Sequence, residues 1–157
     1  MLFFLIPPAV IVLDQLLKFW VKTNLQGGSA VLVPGVLHLV YAENTGAAFG
    51  MFRDGRVPLI LFTFAVMGIF IYLLWKRKIA HPVGYLALSF IAGGAVGNLL
   101  DRLIRGYVID MFELQFIRFA IFNLADAFIT VGCVLLAVFV IFYERFHRVR
   151  EGEGHEA

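Results

Sequence analysis

The chain has 157 residues, of which 61% are hydrophobic and only 15% are charged. This composition argues against an ordinary soluble domain, because the apolar residues also occur in blocks long enough to cross a bilayer. The net charge of +2 is too small to indicate nucleic-acid binding, and a single cysteine excludes an internal disulfide.

The first apolar block, at about residues 2–21, is predicted to be a retained membrane helix. It lacks the basic start and the small-residue cleavage site of a signal peptide, and it carries Asp14 and Lys18. These two residues are four positions apart, so they share one face of the helix. A structural ion pair and a role at a functional site are equally good interpretations of this pairing.

A mixed segment of short β-branched runs follows the first helix. Residues 31–33 and 36–41 are too short to span a membrane and are separated by a Pro-Gly pair, which predicts a small hairpin or two paired strands. The next segment, 43–50, contains small and polar residues. We interpret it as a loop that approaches a ligand. Asn44 in this loop is either a site residue or an ordinary turn residue.

Three further spans are predicted at about residues 57–75, 82–100 and 119–143. The first of these has no charge and is long enough to cross a hydrocarbon core of about 30 Å. The second is rich in glycine and alanine, which predicts close helix packing in lipid. The chain ends in a charged tail, whose last part, about 151–157, is predicted to be disordered.

The four predicted spans place both chain termini on the same side of the membrane. Basic residues are equally numerous on the two sides, but those at 76–78 and 145–150 lie densely at the ends of spans. This density favours that side as the cytoplasmic one. We therefore expect one integral membrane domain over residues 1–157, with both termini in the cytoplasm and the polar loops on the outer face.

The fourth span contains a single acid, Asp126. A carboxylate in such a segment is costly and usually marks a functional site. Asp110 lies earlier, in the connection 103–118, where alone it would be an ordinary loop acid. We hypothesise that the two carboxylates meet, share one proton, and act as an acid–base pair on a peptide carbonyl with water as the nucleophile. Because Asp110 is predicted on a loop, we also expect substrate closure to assemble the pair.

Other polar side chains are predicted at the same end of the bundle. Asn98 and Arg102 are four positions apart and Asn123 and Asp126 are three apart, so each pair shares a helix face. Arg102 either steadies a carboxylate, binds a substrate carbonyl, or forms a helix-end ion pair with Asp101; for Asp101 we favour such an ion pair at the membrane interface. The candidate site-supporting residues are Asp14, Lys18, Asn44, Asn98, Arg102 and Asn123.

Other chemistries and other function classes find less support. Ser89 lies deep in the third predicted span without a lysine there to activate it, and the four histidines are scattered without an HExxH motif, so no metal site is predicted. A small proton or ion conductor using buried acids needs polar residues across the whole membrane, but span 57–75 has no charge. A structural assembly factor leaves Asp126 unexplained.

The chain resembles the bacterial lipoprotein signal peptidase family, signal peptidase II. The resemblance rests on five segments in order: Asp14–Lys18, Asn44–Phe49, Gly97–Arg102, Val108–Asp110 and Phe122–Asp126. Each segment alone is weak, but five in order on a four-span chain are specific. The chain departs from the family pattern at Met111 and in the compact segment 111–122, which form part of the outer rim and include no catalytic position.

The resemblance implies a membrane all-α fold, a four-helix bundle with a small extracytoplasmic β-element and an active site open to the outer leaflet. It implies an intramembrane aspartyl endopeptidase of the bacterial inner membrane, with Asp110 and Asp126 as the catalytic aspartates and no cofactor. The substrate would be a prolipoprotein cleaved just before its diacylglyceryl-modified cysteine. Membrane lipids and globomycin-type antibiotics are expected partners, and nucleic acid is not. The resemblance also implies site roles for Asp14, Asn44, Asn98, Arg102 and Asn123.

Overall fold

A computed structural model describes residues 2–46, 55–76 and 81–152 of the chain. Within them, the chain forms four long helices and three strands. The helices are α1 (Ile6–Asn24, preceded by a 3-10 turn at Leu2–Leu5), α2 (Arg56–Trp75), α3 (Pro82–Ile104) and α4 (Leu124–Gly152). The strands are β1 (Ser29–Val33), β2 (Leu37–Asn44) and β3 (Val108–Leu114). All four helices contain a segment long and apolar enough to cross a membrane, so the predicted four-helix bundle with a small β-element is confirmed.

Helix α3 lies at the centre of the bundle because its glycines let the neighbouring helices approach closely. A Cβ atom added at Gly93 would lie 2.8 Å from the Cβ of Val10 on α1. One added at Gly94 would lie 2.4 Å from the backbone oxygen of Ala125 on α4. The predicted close packing by glycine is therefore confirmed. Helix α2, by contrast, contacts the bundle mainly through α3, and none of its residues is buried.

The three strands form one antiparallel sheet in the order β1-β2-β3. The sheet packs on the C-terminal end of α1 through an apolar core that consists of Val21, Leu25, Leu39, Ile109 and Met111. In the sheet, Ala42 of β2 is the register partner of Asp110 on β3. This core and this register fix the position of Asp110 relative to α1.

The strand β3 was not predicted, and the loop placement of Asp110 is wrong. Gly106 has a φ of +88°, a left-handed conformation that favours glycine, and it turns the chain at the end of α3. Residues 108–111 are then buried between α1 and β2, and their backbone pairs with β2. The strand forms because of this long-range pairing. The short apolar run at residues 108–112 does not by itself indicate a strand.

Helix boundaries also differ from the prediction. Helix α3 continues to Ile104 instead of ending at about residue 100. Helix α4 begins at Leu124 instead of residue 119, because Phe122 forms an isolated β-bridge with Phe112 and so leaves the chain extended before the helix. Most of the predicted disordered tail, residues 153–157, lies outside the described residues.

Candidate active site

The start of α4 holds Asp126 through a reciprocal pair of hydrogen bonds with Asn123. The backbone N–H of Asp126 donates to Asn123 Oδ1 at 2.9 Å, and the backbone N–H of Asn123 donates to Asp126 Oδ2 at 3.2 Å. This arrangement is a capping box, with Asn123 at the N-cap and Asp126 three positions later. The helix N-terminus also stabilises a negative charge on Asp126. Asn123 and Asp126 were predicted to share a helix face. In the structure they contact each other as the cap of the helix.

Helix α1 supplies a second cap for α4. Asp14 is fully buried, and its Oδ1 accepts a hydrogen bond from the backbone N–H of Ala125 at 3.0 Å. Its other oxygen lies 2.8 Å from Lys18 Nζ, so the predicted contact of these two residues is confirmed as an ion pair. Gly97 leaves room for this carboxylate, because an added Cβ there would lie 2.8 Å from Asp14 Oδ2.

Asp101 joins this buried charge network. Its Oδ2 lies 2.9 Å from Lys18 Nζ, its Oδ1 forms a short ion pair with Arg105, and Gln15 donates to it at 3.1 Å. The predicted ion pair at the membrane interface is therefore wrong in two respects: Asp101 is fully buried, and its described partners do not include Arg102. Sequence reasoning also missed Gln15 and Arg105, although the spacing of Asp101 and Arg105 is a helical ion-pair spacing.

Asn98 of α3 connects the charge network to Asp126. The amide Nδ2 of Asn98 donates to Asp126 Oδ1 at 2.7 Å. The amide oxygen of Asn98 accepts from Lys18 Nζ at 2.9 Å and from Asn123 Nδ2 at 3.1 Å. Asn98 is therefore bonded at both ends, and it couples α1, α3 and α4 at a single point.

Asp110 on β3 is held by two amide donors. Asn44 Nδ2, at the end of β2, donates to Asp110 Oδ2 at 2.8 Å, and Asn123 Nδ2 donates to Asp110 Oδ1 at 2.7 Å. Burial, together with the nearby charge of Asp126, raises the pKa of Asp110 to about 6, although the hydrogen bonds from both amides and the charge of Lys18 oppose the rise. The net effect is that Asp110 holds a proton to higher pH than an ordinary aspartate does.

The two aspartates face a common cavity of about 550 Å³. Among the described residues no hydrogen bond joins the two carboxylates directly, but Asn123 contacts both of them. The remaining polar residues of the cavity wall are Asn44, Asn98, Arg102 and Thr130, and most other lining residues are apolar. We expected substrate closure to assemble the pair because Asp110 was predicted on a loop. Asp110 lies on a paired strand instead, so that reason no longer applies.

Arg102 lies beside the carboxylates without an ion pair to any acid in the described part of the chain. Its Nη2 donates to the backbone oxygen of Gly46 at 3.1 Å, and its Nη1 donates to the backbone oxygen of Asn98 at 3.4 Å. A second cavity, of about 420 Å³ between α2, α3 and α4, shares Arg102 and Asp126 with the first. Asp126 is therefore accessible from two apolar cavities.

The geometry suits acid–base chemistry with water as the nucleophile. Two neighbouring carboxylates titrate as a pair, in which one member accepts a proton while the other donates one. Ser89 donates its hydroxyl to the backbone oxygen of Tyr85 at 2.7 Å, which is a structural contact on α3. Within residues 2–46, 55–76 and 81–152, no group of three or more metal-ligating side chains is present.

The chain is similar to known proteins over most of its length. A family model described as "Signal peptidase (SPase) II" matches residues 6–142. A "Lipoprotein signal peptidase" from Lactobacillus johnsonii is 39% identical over 142 residues, which cover 90% of this chain and 92% of that protein. One from Clostridioides difficile is 41% identical over 145 residues, which cover 92% and 97%.

Solved structures show the same fold. Two structures described as bacterial membrane enzymes match with TM-scores of 0.84 and 0.81, at 27% and 28% sequence identity. Each match covers 88% of this chain, and the matches cover 87% and 91% of the solved chains. The likeness in fold therefore covers most of the chain.

Proposed function

The chain belongs to the signal peptidase II family, and from that premise we propose that Asp110 and Asp126 form the catalytic pair of an aspartic endopeptidase. The protein is a multi-pass membrane peptidase that removes signal peptides from prolipoproteins. One observation carries the proposal: both carboxylates open onto one cavity, and amide donors hold them in place. A proton-conducting role is not favoured by any observed contact.

The two aspartates have different roles in the proposed reaction. Asp126 is the ionised member, because the α4 N-terminus and the Asn98 amide stabilise its charge. Asp110 is the protonated member, because burial raises its pKa to about 6. Environments that separate two carboxyl groups in this way assign an acid and a base to the same site.

The proposed reaction proceeds through a tetrahedral intermediate. Asp126 takes a proton from a water molecule as the water oxygen attacks the scissile carbonyl carbon, and Asp110 gives its proton to the carbonyl oxygen. The C–N bond then breaks, the proton on Asp126 moves to the leaving nitrogen, and Asp110 recovers its proton from the hydroxyl group. Both carboxyl groups return to their starting states.

The substrate is a prolipoprotein whose cysteine already carries diacylglycerol, and the bond before that cysteine is cleaved. The apolar cavities beside Asp126 suit acyl chains and an apolar signal peptide. Arg102, whose guanidinium donates to two backbone oxygens, would bind a carbonyl of the extended peptide in this proposal. Membrane lipids and globomycin-type inhibitors would contact the same cavities.

Both termini lie in the cytoplasm in this proposal, and the sheet and the active site lie toward the outer face. The dense basic residues that follow α2 and end α4 support this orientation. The variants Ser29→Cys and Lys76→Cys are each made in a Cys133→Ala background and exposed, in intact cells, to a membrane-impermeant maleimide. The cysteine of Ser29→Cys should react, and that of Lys76→Cys should not. Labelling at Lys76 instead of Ser29 would reverse the orientation.

The substrate assignment is tested with two matched precursors. The purified protein is incubated with a diacylglyceryl-modified precursor and with the same precursor unmodified, and the products are identified by mass spectrometry. We expect cleavage of the modified precursor alone, directly before its cysteine. The variant Glu113→Gln, which changes a carboxylate on the same strand as Asp110, should cleave as well as the unaltered protein. Equal cleavage of both precursors would contradict the assignment.

A further inference from the structure

The orientation of the Asn98 amide is set by Lys18. An ammonium group has donors only, so it contacts an amide through the amide oxygen and never through the nitrogen. Lys18 Nζ lies 2.9 Å from Asn98 Oδ1, and this contact directs Nδ2 of Asn98 toward Asp126 Oδ1 at 2.7 Å. Asn123 Nδ2 also donates to Asn98 Oδ1, which favours the same orientation.

The ammonium group of Lys18 is itself fixed in place. Its acceptors are Asp14 Oδ2 at 2.8 Å, Asp101 Oδ2 at 2.9 Å and Asn98 Oδ1 at 2.9 Å. These three contacts use all three N–H donors of an ammonium group. Lys18, Asp14 and Asp101 are fully buried, so neither solvent nor a mobile counterion replaces these contacts.

The amide orientation distinguishes the two protonation states of Asp126. An N–H donor that faces Asp126 Oδ1 stabilises the ionised carboxylate, whereas an amide oxygen at that place would require a proton on the carboxyl group. We propose that Lys18 is a positioning residue that acts through Asn98 and keeps Asp126 ionised for its work as the base. This inference rests on the proposed function and explains why a lysine is buried beneath the site.

Other charged groups near Asp126 do not duplicate this contact. Asp14 on α1, Asp101 and Arg102 on α3, and Asp110 on β3 surround the site, but the described hydrogen bonds of the Asp126 carboxylate come from Asn98 and from the backbone of Asn123. Helix α2 contributes uncharged side chains to the second cavity. The buried ammonium group of Lys18 is therefore connected to Asp126 by two hydrogen bonds, both of which involve the Asn98 amide.

The test separates the orientation of Asn98 from the stability of the ion-pair network. Lys18→Met removes the cation and leaves Asn123 Nδ2 as the remaining described donor to the Asn98 amide oxygen, so the amide is less firmly oriented. Lys18→Met combined with Asp14→Asn removes one charge of each sign and leaves the buried Asp101–Arg105 ion pair intact. This double variant replaces the single variant in the test if the single variant does not fold. Asp14→Asn alone breaks the Asp14–Lys18 ion pair but keeps the Lys18–Asn98 contact, and it is the matched control.

Two measurements are made on each folded variant. The first is the pH dependence of kcat/KM for a lipid-modified precursor. In the variants without Lys18 its acidic limb should move to higher pH by about one unit, a tenfold change in the ionised fraction. The control should show no such movement. An unshifted limb in folded protein that lacks Lys18 would overturn the inference.

The second measurement does not depend on activity. Infrared difference spectra at neutral pH should show an additional protonated-carboxyl band, beside that of Asp110, when Lys18 is absent, and Asp126→Asn in the same background should remove the additional band. Absence of an Asp126 signal would overturn the inference whatever the activity. If Asp126→Asn alone still cleaves the precursor, the proposed function fails, but the infrared result still decides the role of Lys18.

Discussion

Replacing Gly94 by alanine should disable the enzyme by moving the turn of α4 that carries Asp126. The added Cβ would lie 2.4 Å from the backbone oxygen of Ala125 and 2.8 Å from Ile129 Cγ1. Ala125 immediately precedes Asp126, and its backbone is bonded to Asp14, so the contact is with fixed structure and not with a flexible side-chain end.

The size of the effect follows from this contact. An ordinary contact begins at 3.4 Å, so the first turn of α4 has to move by about 1 Å. Overpacking of this kind destabilises a protein by about 1–3 kcal/mol. A misplacement of about 1 Å in a catalytic group lowers the rate by about 100-fold. We therefore expect a folded protein with a lowered melting temperature and a large loss of kcat.

The other glycines provide a graded series of controls. At Gly68 on α2 an added Cβ meets nothing within 4 Å, so Gly68→Ala should leave cleavage and melting temperature unchanged. At Gly97 the nearest atom is Asp14 Oδ2, the end of a side chain, so Gly97→Ala should have an intermediate effect. Each variant is purified in detergent and assayed on one lipid-modified precursor. Full activity of Gly94→Ala, with Gly68→Ala also active, would refute the reasoning.

Two further predictions concern the chemistry. Because Asp110 has a pKa raised to about 6 and is the proposed proton donor, kcat should fall as the pH rises above about 6. Asn44→Ala removes a hydrogen bond that lowers this pKa, so the fall should move to higher pH, while Asn24→Ala, an exposed amide on α1, should not move it. An unmoved profile in Asn44→Ala would contradict the assignment of Asp110 as the acid. Incubation with EDTA should leave the cleavage rate unchanged, and a loss that added metal restores would indicate metal catalysis.

The sequence was most informative where a residue is costly in its local context. Asp126 is such a residue, because an acid in an apolar span needs partners, and its spacing from Asn123 indicated a shared helix face. The structure places both residues in a helix cap. Helix type and number were also predictable, because span length and hydropathy are local properties of the chain.

The features that were missed depend on contacts between distant parts of the chain. Residues 108–114 form a strand because β2 lies beside them, and no local pattern indicates that neighbour. Asp101 looked like a surface residue at a helix end, but Lys18, more than 80 positions earlier, pairs with it in the interior. A single sequence shows which residues need partners, whereas the fold decides which partners they obtain.

The buried charge network has a consequence for stability as well as chemistry. Removal of one member leaves an opposite charge buried without its partner, which is strongly destabilising in proteins. Variants of Asp14, Lys18 and Asp101 therefore require a measurement of folding before any loss of activity is attributed to the site. Charge-compensated pairs of substitutions are the more informative experiment for this part of the molecule.

The central claim, that Asp110 and Asp126 act as one catalytic pair, is tested most directly by single-turnover cleavage of a diacylglyceryl-modified precursor by Asp110→Asn and Asp126→Asn. Melting temperature and membrane insertion are measured for each variant beside Glu113→Gln. We predict that both variants fold, insert and bind precursor but cleave none of it, while Glu113→Gln cleaves normally. Cleavage by either asparagine variant at a rate near that of the unaltered protein would contradict the claim.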